Sequence, residues 1–243
     1  MDLQLTGLKA VVTGGSRGIG AAIVRTLATE GCHVSFCARD QERVVAMLGA
    51  LQGLPGTVVG KSVDVTNRTQ FEDWLSELGA CDIFIPNVSA LSGSWDAALR
   101  VDVKATIETT EATLPYLQSS KFGAITYIGS KAGSLASPTS AGYGAAKAAM
   151  AHYMKSLSSK LLPSVRVNIV SPGDTLFDGG LWDGIRMSDP AQFERVLGRN
   201  PMGRLATPDE VARVAAFVSS PAASFVSGAN WYVDGGSISH VQI

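Results

Sequence analysis

Short apolar runs alternate along the chain with longer stretches in which apolar residues return every three or four positions. The runs at 8–12, 33–37, 57–63, 82–85, 124–128, 165–170 and 230–233 predict strands. The periodic stretches near 18–29, 40–51, 68–78, 95–118, 142–161 and 208–219 predict helices. Strand and helix take turns almost throughout, which is the sequence form of repeated β-α units. Parallel strands need crossovers of this length. The expected fold class is therefore α/β, a doubly wound parallel sheet of seven strands with helices on both faces.

No Pro/Gly/Ser-rich linker, internal repeat or low-complexity tract breaks the rhythm, so residues 1–243 are expected to form one domain. One stretch departs from it. Residues 174–200 show no strand pattern, yet carry Leu176, Phe177, Leu181, Trp182, Ile185 and Met187. An insertion of this length reads either as a lid over a binding site or as a helical pair covering the core.

Composition removes several function classes. With 46% hydrophobic residues the chain can fill a substantial core, against a disordered or fibrous protein. Lys and Arg number 20 against 21 Asp and Glu, so no global field draws in nucleic acid or an anionic membrane. The N-terminus has no basic segment leading an apolar run, and no apolar stretch approaches the roughly 18 residues of a spanning helix. A cytoplasmic protein with no nucleic-acid or membrane partner is expected. The three cysteines, Cys32, Cys37 and Cys81, sit in or beside strand runs and read as core thiols. His33, His152 and His240 are scattered, with no paired Cys/His spacing, so no metal is assigned.

Candidate chemistry starts directly after the first strand, at Thr13-Gly14-Gly15-Ser16-Arg17-Gly18-Ile19-Gly20, where a helix then opens. Glycines let the backbone turn tightly and approach a pyrophosphate, and the free amides at the helix start attract the anion. A glycine turn without a ligand is the bland alternative, but strand, glycines and helix stand in the order a dinucleotide requires. At the end of the second strand a carboxylate would hold an adenosine ribose diol. The run there is Phe36-Cys37-Ala38-Arg39 instead. Arg17 and Arg39 offer guanidinium forks to a 2'-phosphate, each charge-assisted hydrogen bond being worth roughly 1.5 to 3 kcal/mol. NADP is thus the expected cofactor, with Asp40 as a competing neighbour for Arg39.

The second cluster lies farther along. Tyr143 and Lys147 are four residues apart on a predicted helix and share one face. Ser130 follows the fifth strand, at the carboxyl edge where open α/β sheets place ligands. Singly, a tyrosine packs, a lysine solvates and a serine turns a loop. Together, behind a dinucleotide loop, they read as a site.

These motifs resemble the short-chain dehydrogenase/reductase family, whose compact members carry T-G-x-x-x-G-x-G and a serine thirteen residues before Y-x-x-x-K. The likeness is broadest to 3-oxoacyl-carrier-protein reductase-like members. It runs on through Val63-Asp64-Val65, Asp82-Ile83-Phe84-Ile85-Pro86-Asn87, Arg166-Val167-Asn168-Ile169-Val170-Ser171-Pro172-Gly173, Gly203-Arg204 and Val233-Asp234-Gly235-Gly236. The resemblance implies a Rossmann sheet and a hydride exchanged between NADP(H) and a ketone, aldehyde or secondary alcohol. It implies that Tyr143 exchanges a proton with the substrate oxygen, that Ser130 holds that oxygen, and that Lys147 binds the nicotinamide ribose and favours the ionised phenol. A unit charge about 4 Å away is worth roughly 4 kcal/mol at an effective dielectric of 20. By the same matching, Gly14, Ser16, Arg17, Gly18, Ile19, Gly20 and Arg39 contact the cofactor. Asp64 and Val65 fall at the adenine, Asn87 along the cofactor, Pro172 and Gly173 beside the nicotinamide, and Thr175 at its carboxamide.

Several positions depart from the family pattern. The usual N-N-A-G reads Pro86-Asn87-Val88-Ser89, the segment before Trp95 is short, and Phe177 replaces a common hydroxyl residue. Asp102 stands where the family has an asparagine that bends a helix and anchors the route to the lysine. It keeps that hydrogen-bonding role, or as an anion about 8 Å from the phenol it opposes tyrosinate by about 2 kcal/mol unless Lys147 neutralises it. Leu176, Phe177, Leu181, Trp182 and Met187 favour an apolar substrate. A nucleotide-binding regulatory or scaffold protein is the alternative, with Pro86 and Asp102 as its support. Relatives pair through the two long helices, and Ala145, Ala146, Ala148, Ala149 and Ala151 would permit close packing. A homotetramer is expected, unless those alanines seat the helix on its own sheet.

Overall fold

Seven short apolar segments pair into one wholly parallel sheet: β1 (Lys9–Thr13), β2 (His33–Ala38), β3 (Val58–Ser62), β4 (Ile83–Ile85), β5 (Ala124–Ile128), β6 (Arg166–Pro172) and β7 (Asn230–Val233). They lie in the order β3-β2-β1-β4-β5-β6-β7 in this computed structural model, which describes residues 1–239 and 241. Every residue of β4 and β5 is buried, as a strand covered on both faces requires. The side chains of β5 divide accordingly. Ala124 and Ile128 enter one core, Ile125 and Tyr127 the other.

The first core is closed by α1 (Gly18–Thr29), α2 (Gln41–Ala50) and α9 (Pro208–Ser219), through Ile23, Leu27, Val44, Ala212 and Ala215. The second is closed by α3 (Arg68–Leu78), α5 (Thr106–Ser119) and α6 (Ala141–Leu161), through Phe71, Trp74, Leu117, Met150, Met154 and Leu161. The result is the three-layer doubly wound architecture that the alternating pattern predicts. Strand order reverses between β1 and β4, which opens a crevice at the carboxyl ends of those strands.

Three departures from the expected boundaries shape the crevice and its surroundings. The single helix expected at 95–118 is built as α4 (Trp95–Ala97), a π-helical segment (Ala98–Ala105) and α5. The wider π turn places Asp102 fully inside, where Oδ2 accepts from the backbone N–H of Ala90 at 3.0 Å. Strand β6 runs two residues farther than expected, because Ser171 and Pro172 still pair with Tyr232 and Val233. Residues 174–200 form a helical pair, α7 (Leu181–Ser188) and α8 (Pro190–Leu197), with Asp189 capping α8 through the N–H of Gln192.

Among the described residues, no helix is long and apolar enough to cross a membrane, and no three His, Cys, Asp or Glu side chains converge as metal ligands. His240 lies outside the described residues. Cys32, Cys37 and Cys81 are free and buried. Burial pushes the Cys32 and Cys37 thiols up to about 12 and raises that of Cys81 as well, with Asp82 adding to the rise at Cys32 and Cys81. Thiolate is the reactive form. All three cysteines should therefore resist a thiol reagent at pH 8 in the folded protein and react fully in denaturant; rapid labelling without denaturant would contradict this burial.

Candidate active site

A cleft of about 750 Å³ follows the carboxyl ends of the strands, across the point where strand order reverses. Its floor at one end is the turn between β1 and α1. Backbone N–H groups of Gly14 and Gly15 both donate to the carbonyl of Cys37, which folds the turn against β2. Asn87, just after β4, donates through its side-chain amide to the carbonyls of Thr13 and Gly14 and clamps the turn from the other side. Gly20 is required by contact: a Cβ there would lie 2.2 Å from the carbonyl oxygen of Gly14. Gly18 is favoured by its φ of +54°, and the ring of Phe177 packs on it, 2.6 Å from where a Cβ would be. Helix α1 starts with Arg17 at its N-cap, without a side-chain cap and without an acidic residue in its first turn. Its leading amides thus remain available to an anion.

Beyond this turn the cleft is basic. Arg17, Arg39 and Arg43 all line it. The competition foreseen between Asp40 and a phosphate for Arg39 does not arise in the structure. Asp40 caps α2 through the N–H of Arg43 and pairs with the Arg43 side chain at 3.1 Å. Arg17 reaches across to the carbonyl of Gly179 at 3.5 Å. Asp64 and Val65 form the facing wall, with Oδ1 of Asp64 accepting from the backbone and hydroxyl of Thr66.

At the other end α6 delivers Tyr143 and Lys147. Gly142 and Gly144 let the helix start press against Trp95 and Ala132, where a Cβ would come within 3.2 and 3.1 Å. Lys147 is only 3% exposed, and the partners of its ammonium close around it. Nζ donates to the Tyr127 hydroxyl at 3.0 Å and to the Ile128 carbonyl at 3.2 Å, and lies 3.5 Å from Oδ1 of Asp102. The Tyr143 ring centroid is 5.7 Å from the same nitrogen. Ser130 lines the same cleft two residues after β5, at the start of a short 3-10 turn. Its oxygen accepts from the N–H of Ala132 at 3.1 Å, so its own proton is left to donate elsewhere.

Every residue that the sequence singles out as a site candidate lines this one cleft except Asp102, which lies buried behind Lys147. That set is Gly14, Ser16, Arg17, Gly18, Ile19, Gly20, Arg39, Asp64, Val65, Asn87, Ser130, Tyr143, Lys147, Pro172, Gly173 and Thr175. Thr175 turns its hydroxyl to the carbonyl of Gly173 at 3.1 Å. Of the apolar residues in 174–200, Phe177, Leu181 and Trp182 reach the cleft, whereas Leu176 and Met187 are not on its wall. Met187 is 70% exposed. Leu91 and Leu135 add exposed apolar surface to the same cleft.

Three participants escape a reading of the sequence. Arg43 lies in the first turn of α2, past the strand end where Arg39 stands, and a scan of the strand end passes over it. Lys131 lines the cleft and pairs with Asp174 at 2.5 Å, a contact between positions with no sequence relation. Tyr127 reads as one more strand residue until Lys147 is seen to donate to it.

A family model described as enoyl-(acyl carrier protein) reductase matches residues 14–237. The chain is 35% identical to isoepoxydon dehydrogenase patN of Penicillium expansum, covering 96% of this chain and 95% of that one. It is 29% identical to the 3-oxoacyl-[acyl-carrier-protein] reductase FabG of Chlamydia pneumoniae, covering 97% and 99%. The L-sorbose reductase of Gluconobacter frateurii, solved with NADPH and L-sorbose, superimposes with a TM-score of 0.90 at 26% identity over 99% of this chain and 100% of that one. With the glycine turn, the Tyr143–Lys147 pair and Ser130 on one strand-end cleft, these matches place the chain in the short-chain dehydrogenase/reductase family of oxidoreductases.

Proposed function

We propose that this oxidoreductase uses NADP(H) to interconvert a ketone or aldehyde and the corresponding alcohol, with Tyr143 as the acid and base. The observation that carries the proposal is the buried Lys147 ammonium, held between Asp102, Tyr127 and the Ile128 carbonyl, beneath the Tyr143 ring. A cation fixed there lowers the cost of negative charge on the phenol oxygen. Bound cofactor would supply hydride to the carbonyl carbon, or accept it from the alcohol. In the reducing direction Tyr143 gives its proton to the substrate oxygen as that oxygen gains charge. In the oxidising direction the phenolate takes the proton back. Ser130, whose oxygen is already engaged by Ala132, has a proton free to hold the substrate oxygen in place.

The cleft fits a dinucleotide at its other end. Gly14, Ser16, Gly18, Ile19 and Gly20 form a close-approach surface beside the uncapped helix start, and the adenosine end would meet Asp64 and Val65. Arg39 and Arg43, with Arg17, give that end the charge a 2'-phosphate calls for, and no acidic residue precedes Arg39 on β2. The presence of NADPH in the L-sorbose reductase complex agrees with this choice. Asn87 would line the cofactor's path while bracing the glycine turn, and Pro172, Gly173 and Thr175 would border the nicotinamide.

Leu91, Leu135, Leu181 and Trp182 give the substrate end an apolar rim, which favours a substrate with hydrocarbon surface next to its carbonyl. Residues 174–200 are proposed as the movable side of that rim. The scaffold alternative loses its main support, because Asp102 is not a stray anion but the partner of Lys147. Ala145, Ala148 and Ala149 are exposed on α6, available for the self-association into a tetramer that we also propose.

Two measurements test this reading. NADPH should be used at least about tenfold better than NADH, and Arg39→Ala should reduce that preference by about tenfold, the worth of one charge-assisted hydrogen bond; equal use of both cofactors by the parent protein would refute the assignment. Asp102→Asn should retain activity and move the acidic limb of the pH profile for alcohol oxidation toward lower pH by about one unit, because the ammonium is no longer offset by an anion. An unchanged limb would remove Asp102 from the proton chemistry.

A further inference from the structure

Tyr127 stands on β5 at a position where strand alternation asks only for a core side chain, beside Ile125 and among the apolar residues of α5 and α6. It is 1% exposed. A phenol that deep must place its hydroxyl against a partner, since an unpaired buried hydroxyl costs free energy comparable to a lost hydrogen bond. The partner is the ammonium of Lys147, 3.0 Å from the hydroxyl oxygen and 4.9 Å from the ring centroid. Lys147 Nζ is thus set between two phenols, Tyr127 on the strand below and Tyr143 one helical turn away.

The charges around this nitrogen are few. Asp102 approaches from the π-helical segment, Tyr127 from β5 and Tyr143 from α6 itself, while Lys131 on the turn after β5 is occupied by Asp174. Asp102 and Tyr127 hold the cation by different means. The carboxylate stabilises the ammonium but also offsets its charge, which is the charge Tyr143 relies on. The Tyr127 oxygen is a neutral acceptor. Burial first, and the Asp102 charge second, push its hydroxyl well above the ordinary phenol range, so it stays protonated wherever the enzyme works. It therefore fixes the ammonium without cancelling it.

We propose that Tyr127 is a positioning residue of the reaction: its buried hydroxyl takes one N–H of Lys147 and holds the cation in place beneath Tyr143. This rests on the acid-base reading of Tyr143 and Lys147 above. No side chain other than Asp102 and Tyr127 is bonded or ion-paired to Lys147 among the described residues. Removing the hydroxyl leaves one ammonium proton in the core without an acceptor, and the cation either shifts toward Asp102 or is more easily lost. Either way Tyr143 is served by less positive charge.

The test is the pH profile of alcohol oxidation by Tyr127→Phe and Tyr127→Met, two replacements that fill the core without a hydroxyl. Both are read with NADPH affinity and melting temperature alongside, at a temperature well below each variant's midpoint. The acidic limb should move to higher pH by about half a unit to one unit, and turnover at pH 7 should fall about tenfold, while NADPH affinity stays within about threefold. Ile125→Val, on the same strand face but away from Lys147, should lower the melting temperature and leave the limb where it is. A limb displaced by less than about 0.2 units in both Tyr127 variants would overturn the proposal, as would an equal displacement in Ile125→Val. Lys147→Met separates this failure from a deeper one. If that variant loses the limb while the Tyr127 variants keep it, only the role of Tyr127 fails; if Lys147→Met also keeps it, the acid-base reading itself is at fault.

Discussion

A single ammonium, nearly sealed from water at Lys147, sets conditions that the surrounding structure meets. Moving a cation out of water is costly unless anions and acceptors replace its hydration shell. Here three groups from two segments replace it: a carboxylate from the π-helical segment, and a phenol and a carbonyl from adjacent residues at the end of β5. Those segments are therefore tied to one another through a point charge as well as through apolar contact. Asp102 extends the tie to the segment after β4, where its second oxygen receives the N–H of Ala90. That segment forms one wall of the cleft, so the group that stabilises the cation also shapes the space above it.

The opposite end of the cleft relies on close approach instead. Asn87 and the Cys37 carbonyl pin the glycine turn, and Phe177 packs on Gly18 from the insertion after β6. Arg17 joins the same insertion at Gly179. Residues 174–180 thus touch the turn that would hold a pyrophosphate, while Leu181 and Trp182 of α7 line the same cleft. In the proposed function this insertion is the element through which cofactor and substrate would be sensed together.

Much of this was legible in the chain. The alternation of runs and periodic stretches implied the layer order, because apolar area must be buried on both faces of a parallel sheet. The Gly14–Gly20 turn and the Tyr143–Lys147 spacing were local, and local geometry is what a sequence states most directly. What stayed hidden depended on contacts between distant positions. Nothing adjacent to Asp40 says that it will turn to Arg43 and leave Arg39 alone, nor does Tyr127 announce that Lys147, twenty residues on, will donate to it. The break in the helix expected at 95–118 was foreshadowed only by resemblance. The contacts it brings about, a buried carboxylate bridging Ala90 and Lys147, need three segments assembled in space.

The acid-base assignment to Tyr143 stands at the centre, and one substitution addresses it most directly. Tyr143→Phe keeps the ring over Lys147 and removes only the hydroxyl. Carbonyl reduction should fall by a factor of about 100 to 10,000 while NADPH still binds, as expected when a positioned proton donor is lost. Undiminished turnover in a correctly folded Tyr143→Phe protein would contradict the assignment.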